Sequence, residues 1–139
     1  MVKGQSTNAL TKRWAESQGW LVATVQQYFG GRRHDLFGVA DSLILRPGHR
    51  PLLAQNCSYG SLKAHRDDFS TPETWEVIQR LHSSGVSVCL LEWRQKKAKR
   101  GGKRMAREWW VRGQSAFADG WGDLGDWEGP FDLIPRRKK

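Results

Sequence analysis

The sequence contains little sulfur and no long apolar segment. Its 139 residues include two cysteines and two methionines, and Cys57 and Cys89 each lie in an apolar run typical of a buried strand. So few thiols exclude a disulfide framework and favour a reducing, intracellular setting, with both thiols packed in the core. No apolar run approaches the roughly 18 residues of a membrane span, and the N-terminus lacks the apolar region of a secretory signal. We therefore expect no membrane association.

Several common catalytic motifs are also absent. The four histidines are scattered, and neither cysteine pairs with another ligand at zinc spacing. The chain has no glycine-rich phosphate loop followed by Lys-Ser or Lys-Thr, and no Gly-x-Ser-x-Gly elbow. These absences argue against a zinc finger, a P-loop nucleotide hydrolase and an α/β-hydrolase. His34 or His65 could act as a general base, with polar surface as the alternative.

Acidic residues are fewer than basic residues in this sequence. Lysine and arginine number 23 against 14 aspartates and glutamates, which gives a net charge of +9. The excess is densest from Arg94 to Arg107, a stretch without acids that carries a Gly-Gly tip. A nucleic acid is the natural partner of such a surface, and a solvated loop is the alternative. The residues predicted to contact phosphates are Arg32, Arg33, Arg94, Lys96, Lys97, Lys99, Arg100, Lys103, Arg104 and Arg107.

Periodicity and turn signals predict an α/β fold with a mixed central β-sheet flanked by helices. Helices are expected over residues 7–18 and from Ser70-Thr71-Pro72-Glu73 to Gly85. Strands are expected over 20–29, 36–46, 51–57, 86–93 and 105–112, with a loop or short helical turn over 58–69. The order is α-β-β-β-α-β plus one strand. A domain over 1–112 would include the basic hairpin 94–107, and residues 113–139, rich in Trp, Gly and acids and then basic, would form a tail.

One carboxylate interrupts an apolar segment. Asp41 lies between Gly38-Val39-Ala40 and Leu43-Ile44-Leu45, where an uncompensated carboxylate would cost several kcal/mol. A cation or a hydrogen-bond partner must therefore offset it; an exposed strand end is the alternative. After a Pro-Gly turn, a second apolar segment ends in Gln55-Asn56-Cys57-Ser58, which supplies further oxygens. Oxygen ligands on adjacent strands are typical of a magnesium site, so phosphodiester hydrolysis is the leading hypothesis.

The length of the intervening turn decides whether these motifs face each other. Side chains alternate between the two faces of a strand, so Asp41 and Gln55 share a face only if they are directly opposed or displaced by an even number. A three-residue loop at 47–49 predicts direct opposition. A two-residue loop without a bulge would exclude a shared site. Cys57 shares the face of Gln55, and Asn56 is expected to present its backbone carbonyl.

The two motifs resemble those of the PD-(D/E)XK nuclease superfamily. Within it, the chain is similar to archaeal-type Holliday junction resolvases and related phage nucleases, over residues 5–112. The phage-like features are Asp35-Leu36-Phe37-Gly38, the glutamine of the second motif, Arg66, and Trp93-Arg94. The resemblance implies a restriction-endonuclease-like core and a magnesium-dependent DNA endonuclease, with manganese as a substitute. It further implies action on branched DNA as a homodimer, in the cytoplasm of a bacterial, archaeal or phage-infected cell.

The resemblance also implies a set of site residues. The metal ligands would be Asp41, Asp35 and Gln55 with the backbone carbonyl of Asn56, although Asp35 could equally be a local cap of its turn. Gln55 stands in the place of an acid, so we expect weak metal affinity.

Two further positions depart from the family pattern. Cys57 replaces the lysine that orients the attacking water, and Lys63 or Arg66 could supply the lost cation. The family's helical acid is expected near Asn8; Glu16 is the candidate on this helix, with a surface acid as the alternative. Three hypotheses follow: an endonuclease selective for DNA structure, a nucleic-acid-binding module of the same fold that has lost catalysis, and a structural subunit of a larger nucleoprotein assembly.

Overall fold

The computed structural model describes residues 6–100, 103–125 and 127–131, and the backbone alone at 27–29, 32–33, 96–100, 103–108 and 130. Three helices and nine strands occur in this part of the chain. They are α1 Thr7–Ser17, β1 Leu21–Thr24, β2 Gln27–Phe29, β3 Arg32–His34, β4 Ser42–Leu45, β5 Leu52–Ser58, α2 Leu62–Phe69, α3 Pro72–Ser83, β6 Ser87–Arg100, β7 Lys103–Phe117, β8 Gly120–Asp123 and β9 Glu128–Phe131.

Seven strands form one mixed sheet. Its order is β1-β4-β5-β6-β7-β8, and β9 also pairs with β7. The pair β5 and β6 is parallel, whereas the other pairs are antiparallel. A parallel pair needs a crossover connection, and α2 and α3 supply it. The predicted α/β class, with a mixed sheet flanked by helices, is confirmed.

A hydrophobic core lies on each face of the sheet. On one face α1 buries Leu10, Trp14 and Ala15 against strand residues that include Ile44 and Trp93. On the other face the buried cluster contains residues of α2 and α3 together with strand residues: Leu53, Cys57, Leu62, Phe69, Ile78, Val88 and Leu90. Full burial of one such aliphatic side chain contributes about 1.5–3 kcal/mol. The sheet and its helices therefore hold the polar site described below in a rigid frame.

The first helix begins and ends where the sequence predicts. Ser6 is its N-cap, and its hydroxyl accepts a hydrogen bond from the Ala9 N–H at 3.2 Å. Gly19 adopts φ 81° directly after the helix, a conformation that glycine takes without the cost of a Cβ clash. These two signals fix the position of α1 along the sheet.

Two predicted strands are shorter in the structure. The strand expected over 20–29 breaks into β1, which pairs with β4, and β2, which pairs with β3 in a separate two-stranded sheet. The strand expected over 36–46 is reduced to β4, because Phe37 and Gly38 have φ values of 55° and 74° and form a turn closed by a Leu36–Ala40 bridge. Two consecutive positive φ angles cannot continue a strand. Asp41 therefore lies where the sheet begins.

The chain after Arg112 differs from the expected tail. β7 continues to Phe117, and both β8 and β9 pair with it. Trp121 packs against Phe69 and Trp75 at ring-centroid distances of 6.3 and 5.6 Å. Pairing and aromatic packing thus place this segment in the sheet; residues 126 and 132–139 of the expected tail lie outside the described residues. The segment 58–69, expected as a loop or short helical turn, contains the eight-residue helix α2.

Candidate functional site

Asp41 and Gln55 meet at the ends of two adjacent strands. The register of β4 and β5 pairs Ser42 with Ala54, so continuing it by one residue places Asp41 opposite Gln55. The Asp41 N–H donates to the Ala54 carbonyl at 3.1 Å, and Gln55 Nε2 donates to Asp41 Oδ2 at 3.3 Å. Both side chains are buried, with 3% and 4% of their surface exposed. This is the arrangement that a three-residue loop at 47–49 predicts.

Asn56 is the centre of a buried hydrogen-bond network beside Asp41. Its Nδ2 donates at 2.8 Å to Asp41 Oδ1, at 2.9 Å to Ser42 Oγ and at 3.0 Å to Asn8 Oδ1, so two hydrogens serve three acceptors. Its Oδ1 accepts from Thr11 Oγ1 at 2.6 Å, and its backbone N–H donates to Asp41 Oδ1 at 3.1 Å. Hydrogen bonds to a carboxylate are stronger than those between neutral groups. The Asn56 side chain therefore holds Asp41 in place, a role that the sequence analysis did not assign to it.

A relay of amides connects the two predicted carboxylate ligands. Asp35 Oδ1 accepts from Gln26 Nε2 at 2.7 Å, Gln26 Oε1 accepts from Asn8 Nδ2 at 3.4 Å, and Asn8 reaches Asp41 through Asn56. Asn8 thus lies in the network at the position where the resemblance leads one to expect an acid. Within the described ranges, no three His, Cys, Asp or Glu side chains form a group that could hold a metal ion.

The carbonyl end of the Gln55 amide is buried, and no described residue hydrogen-bonds to it. Gln55 Oε1 accepts no hydrogen bond from the part of the chain that the structure describes, and burying an unpaired amide oxygen costs on the order of 1–3 kcal/mol. The unsatisfied oxygen belongs to the same amide that contacts Asp41 Oδ2. A cation or a hydrogen-bond donor that binds this oxygen would remove the free-energy cost of burying it unpaired.

A divalent cation fits this pair of side chains. A carboxylate oxygen and an amide oxygen are both ligands that Mg²⁺ accepts, and two such ligands at octahedral right angles are about 3.0 Å apart. The Gln55 amide end opposite Asp41 Oδ2 is 3.3 Å away, and a half rotation of the amide exchanges its nitrogen for its oxygen there. This pair supplies one carboxylate ligand and one neutral ligand. The groups of Asn56 that contact Asp41 are its backbone N–H and its Nδ2, which are donors and add no further ligand.

Cys57, at the position where the resemblance implies a lysine, carries no charge. It lies in the core with 1% of its surface exposed, and burial raises the pKa of its thiol to about 12, with the charges of Asp41 and Glu92 acting in the same direction. A neutral thiol can neither neutralise a phosphate nor orient water as an ammonium does. The structure therefore offers no replacement for the lysine at Cys57 itself.

The predicted substitutes for the lysine have different surroundings. Lys63 is exposed on α2 and pairs with Asp67 at 3.2 Å, one helical turn away. Arg66 is half-buried, and its guanidinium donates to Gln114 Oε1 at 3.4 Å. Gln55 on β5, Leu90 on β6 and Gln114 on β7 lie opposite one another and therefore on the same face of the sheet. Because Arg66 contacts Gln114, it lies over the face that carries Gln55. Glu16 is exposed on α1, in agreement with its reading as a surface acid.

An ion pair with a buried carboxylate lies opposite the residue two positions further along β5. Cys57 is opposite Glu92, whose carboxylate is 1% exposed and accepts from Arg112 Nε at 2.6 Å and from the Gly60 N–H at 2.8 Å. The sequence analysis missed Glu92, although it is an acid inside an apolar run in the same way as Asp41. The argument that singled out Asp41 would have identified it. Thr11 carries no such signal, because a threonine on a helix is ordinary.

Arg94 is the one predicted phosphate contact whose side chain the structure describes. The hairpin of β6 and β7 extends from Cys89 and Ser115 to Arg100 and Lys103, and Arg94 is described and half-buried. The side chains of Arg32, Arg33, Lys96, Lys97, Lys99, Arg100, Lys103, Arg104 and Arg107 lie outside the described residues.

Comparison with family models, with curated proteins and with solved structures finds no match for this chain. Among the described residues, no helix is long and apolar enough to cross a membrane.

Proposed function

We propose that the protein is a metal-dependent DNA endonuclease of the PD-(D/E)XK type. The observation that carries the proposal is the buried pair of Asp41 and Gln55: the Gln55 amide contacts the carboxylate through its nitrogen, and its oxygen has no hydrogen-bond partner among the described residues. The order of elements supports it: a helix, three antiparallel sheet strands, a helical crossover and a parallel strand, with the β2–β3 hairpin as an insertion. This order is compatible with the α-β-β-β-α-β core that the resemblance implies.

Asp41 Oδ2 and Gln55 Oε1 would hold the magnesium ion, with Asp35 and the Asn56 carbonyl as the further predicted ligands. A bound magnesium ion supplies the Lewis acid that lowers the pKa of a water and neutralises the leaving oxygen. Asn56 positions Asp41 by two hydrogen bonds to Oδ1, which leaves the orientation of Oδ2 fixed. Because Gln55 is neutral, the attraction for the cation is weaker than in a site with two acids.

The charge of the scissile phosphate needs a cation from the protein as well. Arg66 is the better placed of the two predicted residues, because it leans over the face of Gln55, whereas Lys63 is exposed and paired along its own helix. The guanidinium of Arg66 would stabilise the negative charge that develops on the phosphate oxygens. Its fork of donors suits two oxygens at once.

The net charge of +9 supports DNA as the partner. The hairpin from Arg94 to Arg107 would lie along backbone phosphates and release counterions as it binds. Branched DNA as substrate, a homodimer as the active form and a cytoplasmic location are the parts of the proposal that rest on the resemblance alone.

A cleavage assay tests the proposal. A labelled four-way junction and a linear duplex of the same arm sequence are incubated with the protein in Mg²⁺, Mn²⁺ or EDTA. We expect the junction to be cut with either metal and not in EDTA, and we expect Asp41→Asn to abolish the cutting. Glu16→Gln, which alters an exposed acid on α1, is the matched control and should cut like the unaltered protein. Cutting by Asp41→Asn at the same rate would contradict the proposal.

A nucleic-acid-binding module of the same fold is the second candidate. It is favoured by the amide groups that surround Asp41: Asn8 and Gln55 stand where acids would be expected, and Cys57 is neutral. Such a site would keep the fold and the basic surface and lack the charges for hydrolysis. Binding of the junction without cleavage under either metal would decide for this candidate.

A further inference from the structure

Two arginines and two aromatic side chains form a continuous stack at the end of β5. The Arg94 guanidinium lies 4.5 Å from the centroid of the Tyr59 ring, and the Arg112 guanidinium lies 4.7 Å from that of Trp127. The Tyr59 and Trp127 rings meet at 6.0 Å in an edge-to-face arrangement. We call these four side chains the aromatic–arginine ladder.

The buried carboxylate of Glu92 holds part of the ladder in place. Glu92 accepts hydrogen bonds from Arg112 at 2.6 Å and from the Gly60 N–H at 2.8 Å. It therefore fixes one arginine of the ladder and the backbone of the turn that carries Tyr59. An arrangement fixed in advance loses little side-chain entropy on binding. Single exposed aromatic residues are common on protein surfaces, whereas aromatic residues held in a fixed cluster with arginines indicate a binding surface.

Tyr59 is the most open member of the ladder. It is 57% exposed, so much of its ring is available to a ligand although Arg94 covers part of it. Aromatic rings stack on nucleobases without regard to sequence, and arginine planes add a cation–π contribution and a charge for the phosphate. Bases inside a duplex are already stacked on each other, so only unpaired bases can use such a surface.

We propose that the aromatic–arginine ladder binds unpaired nucleobases of a single-stranded DNA segment beside the Asp41–Gln55 site. Tyr59 follows Gln55 by four residues, so their Cα atoms are at most about 14 Å apart. A strand engaged by Asp41 and Gln55 can therefore reach Tyr59 within a few nucleotides. The inference rests on the proposed function only in taking DNA as the partner.

Fluorescence anisotropy tests the inference with two probes, a labelled oligothymidine of about 15 nucleotides and a duplex of the same length. Both are titrated in EDTA, so that cleavage does not interfere. We expect Tyr59→Ala to weaken binding of the oligothymidine by about 5- to 150-fold, the loss expected for one stacked base, and to leave duplex binding within twofold. Tyr59→Phe keeps the ring and should bind both probes like the unaltered protein.

Phe117→Ala is the matched control. Phe117 is an aromatic residue of similar exposure, 43%, at the far end of β7, where the strand pairs with β8. Its removal should change neither titration. Circular dichroism of each variant checks that the fold is retained, which is expected because Tyr59 is mainly exposed.

The remaining outcomes overturn either the ladder alone or the ladder together with the proposed function. Unchanged oligothymidine binding by Tyr59→Ala would overturn the ladder as a base-binding surface and leave the proposed function standing. Equal weakening of both probes would also overturn it, because it would assign Tyr59 to the phosphate backbone or to folding. If the unaltered protein binds neither probe, DNA is not the partner, and the proposed function fails together with the inference.

Discussion

Asn56 Nδ2 donates a hydrogen bond of 2.8 Å to Asp41 Oδ1, and the backbone N–H of Asn56 donates a second bond to the same oxygen at 3.1 Å. One residue of β5 thus holds one oxygen of a buried carboxylate by two donors. The second oxygen, Oδ2, is directed to Gln55 at 3.3 Å. The backbone N–H of Asn56 also lies 3.4 Å from Oδ2. Both oxygens of the carboxylate therefore accept hydrogen bonds from β5, and the shorter bonds go to Oδ1.

Replacing Asn56 by alanine should destabilise the fold. The change removes an amide that serves Asp41, Ser42, Asn8 and Thr11 and leaves buried polar groups without partners. We expect the free energy of unfolding, measured by urea denaturation, to fall by about 2–4 kcal/mol. Asn8→Ala removes only the outer end of the network and should cost about 1 kcal/mol or less. Equal losses for the two variants would show that Asn56 is not the centre of the network.

The ion pair of Glu92 and Arg112 should respond asymmetrically to substitution. Glu92 is 1% exposed, whereas 42% of the Arg112 side chain is exposed. Arg112→Leu leaves a buried carboxylate without its cation and should lower the free energy of unfolding by about 3 kcal/mol. Glu92→Gln keeps an acceptor for Gly60, and Arg112 can turn to water, so the loss should be smaller. A larger loss for Glu92→Gln than for Arg112→Leu, again in urea, would contradict this account.

The two buried thiols should make stability fall at alkaline pH. Burial raises the pKa of Cys57 and of Cys89 to about 12 from an ordinary value of 9.0. Between these values the unfolded chain releases protons that the folded chain keeps, so the stabilisation is complete below pH 9 and declines as the pH rises towards 12.

Urea denaturation at a series of pH values from 8 to 11 measures this decline. The double variant Cys57→Ala and Cys89→Ala lacks both thiols and serves as the reference for the other groups that titrate in this range. We expect its stability to decline less steeply, by at most about 1.4 kcal/mol per pH unit for each thiol removed. Identical slopes for the two proteins would show that the thiols are not protonated preferentially in the folded state.

Much of the site's framework follows from local sequence. The three-residue loop at 47–49 fixes the register that brings Asp41 opposite Gln55, and directly opposed residues of adjacent strands lie on the same face of the sheet. The cap at Ser6 and the positive φ of Gly19 are equally local, and they set the bounds of α1. Such features depend on a few neighbouring residues, which is why the sequence is sufficient.

The structural features that the sequence analysis missed depend on contacts between residues that are far apart along the chain. Thr11 is 45 residues from Asn56 and 82 from Trp93, yet it bonds to both side chains. The turn at Phe37 has no glycine at the first of its positive φ positions, so an apolar pattern there resembled a strand. The segment after Arg112 is held by pairing with β7 and by Trp121, neither of which a local pattern reveals.

The central claim is that Asp41 and Gln55 together hold a divalent cation, and titration with Mn²⁺ tests it most directly. Electron paramagnetic resonance measures the free ion as the folded protein is added, with no need for substrate. We predict that the unaltered chain binds a single weakly held Mn²⁺, that Gln55→Ala weakens binding further, and that Asp41→Asn abolishes it while circular dichroism shows an intact fold. Retention of the ion by Asp41→Asn, or no binding by the unaltered protein, would contradict the account.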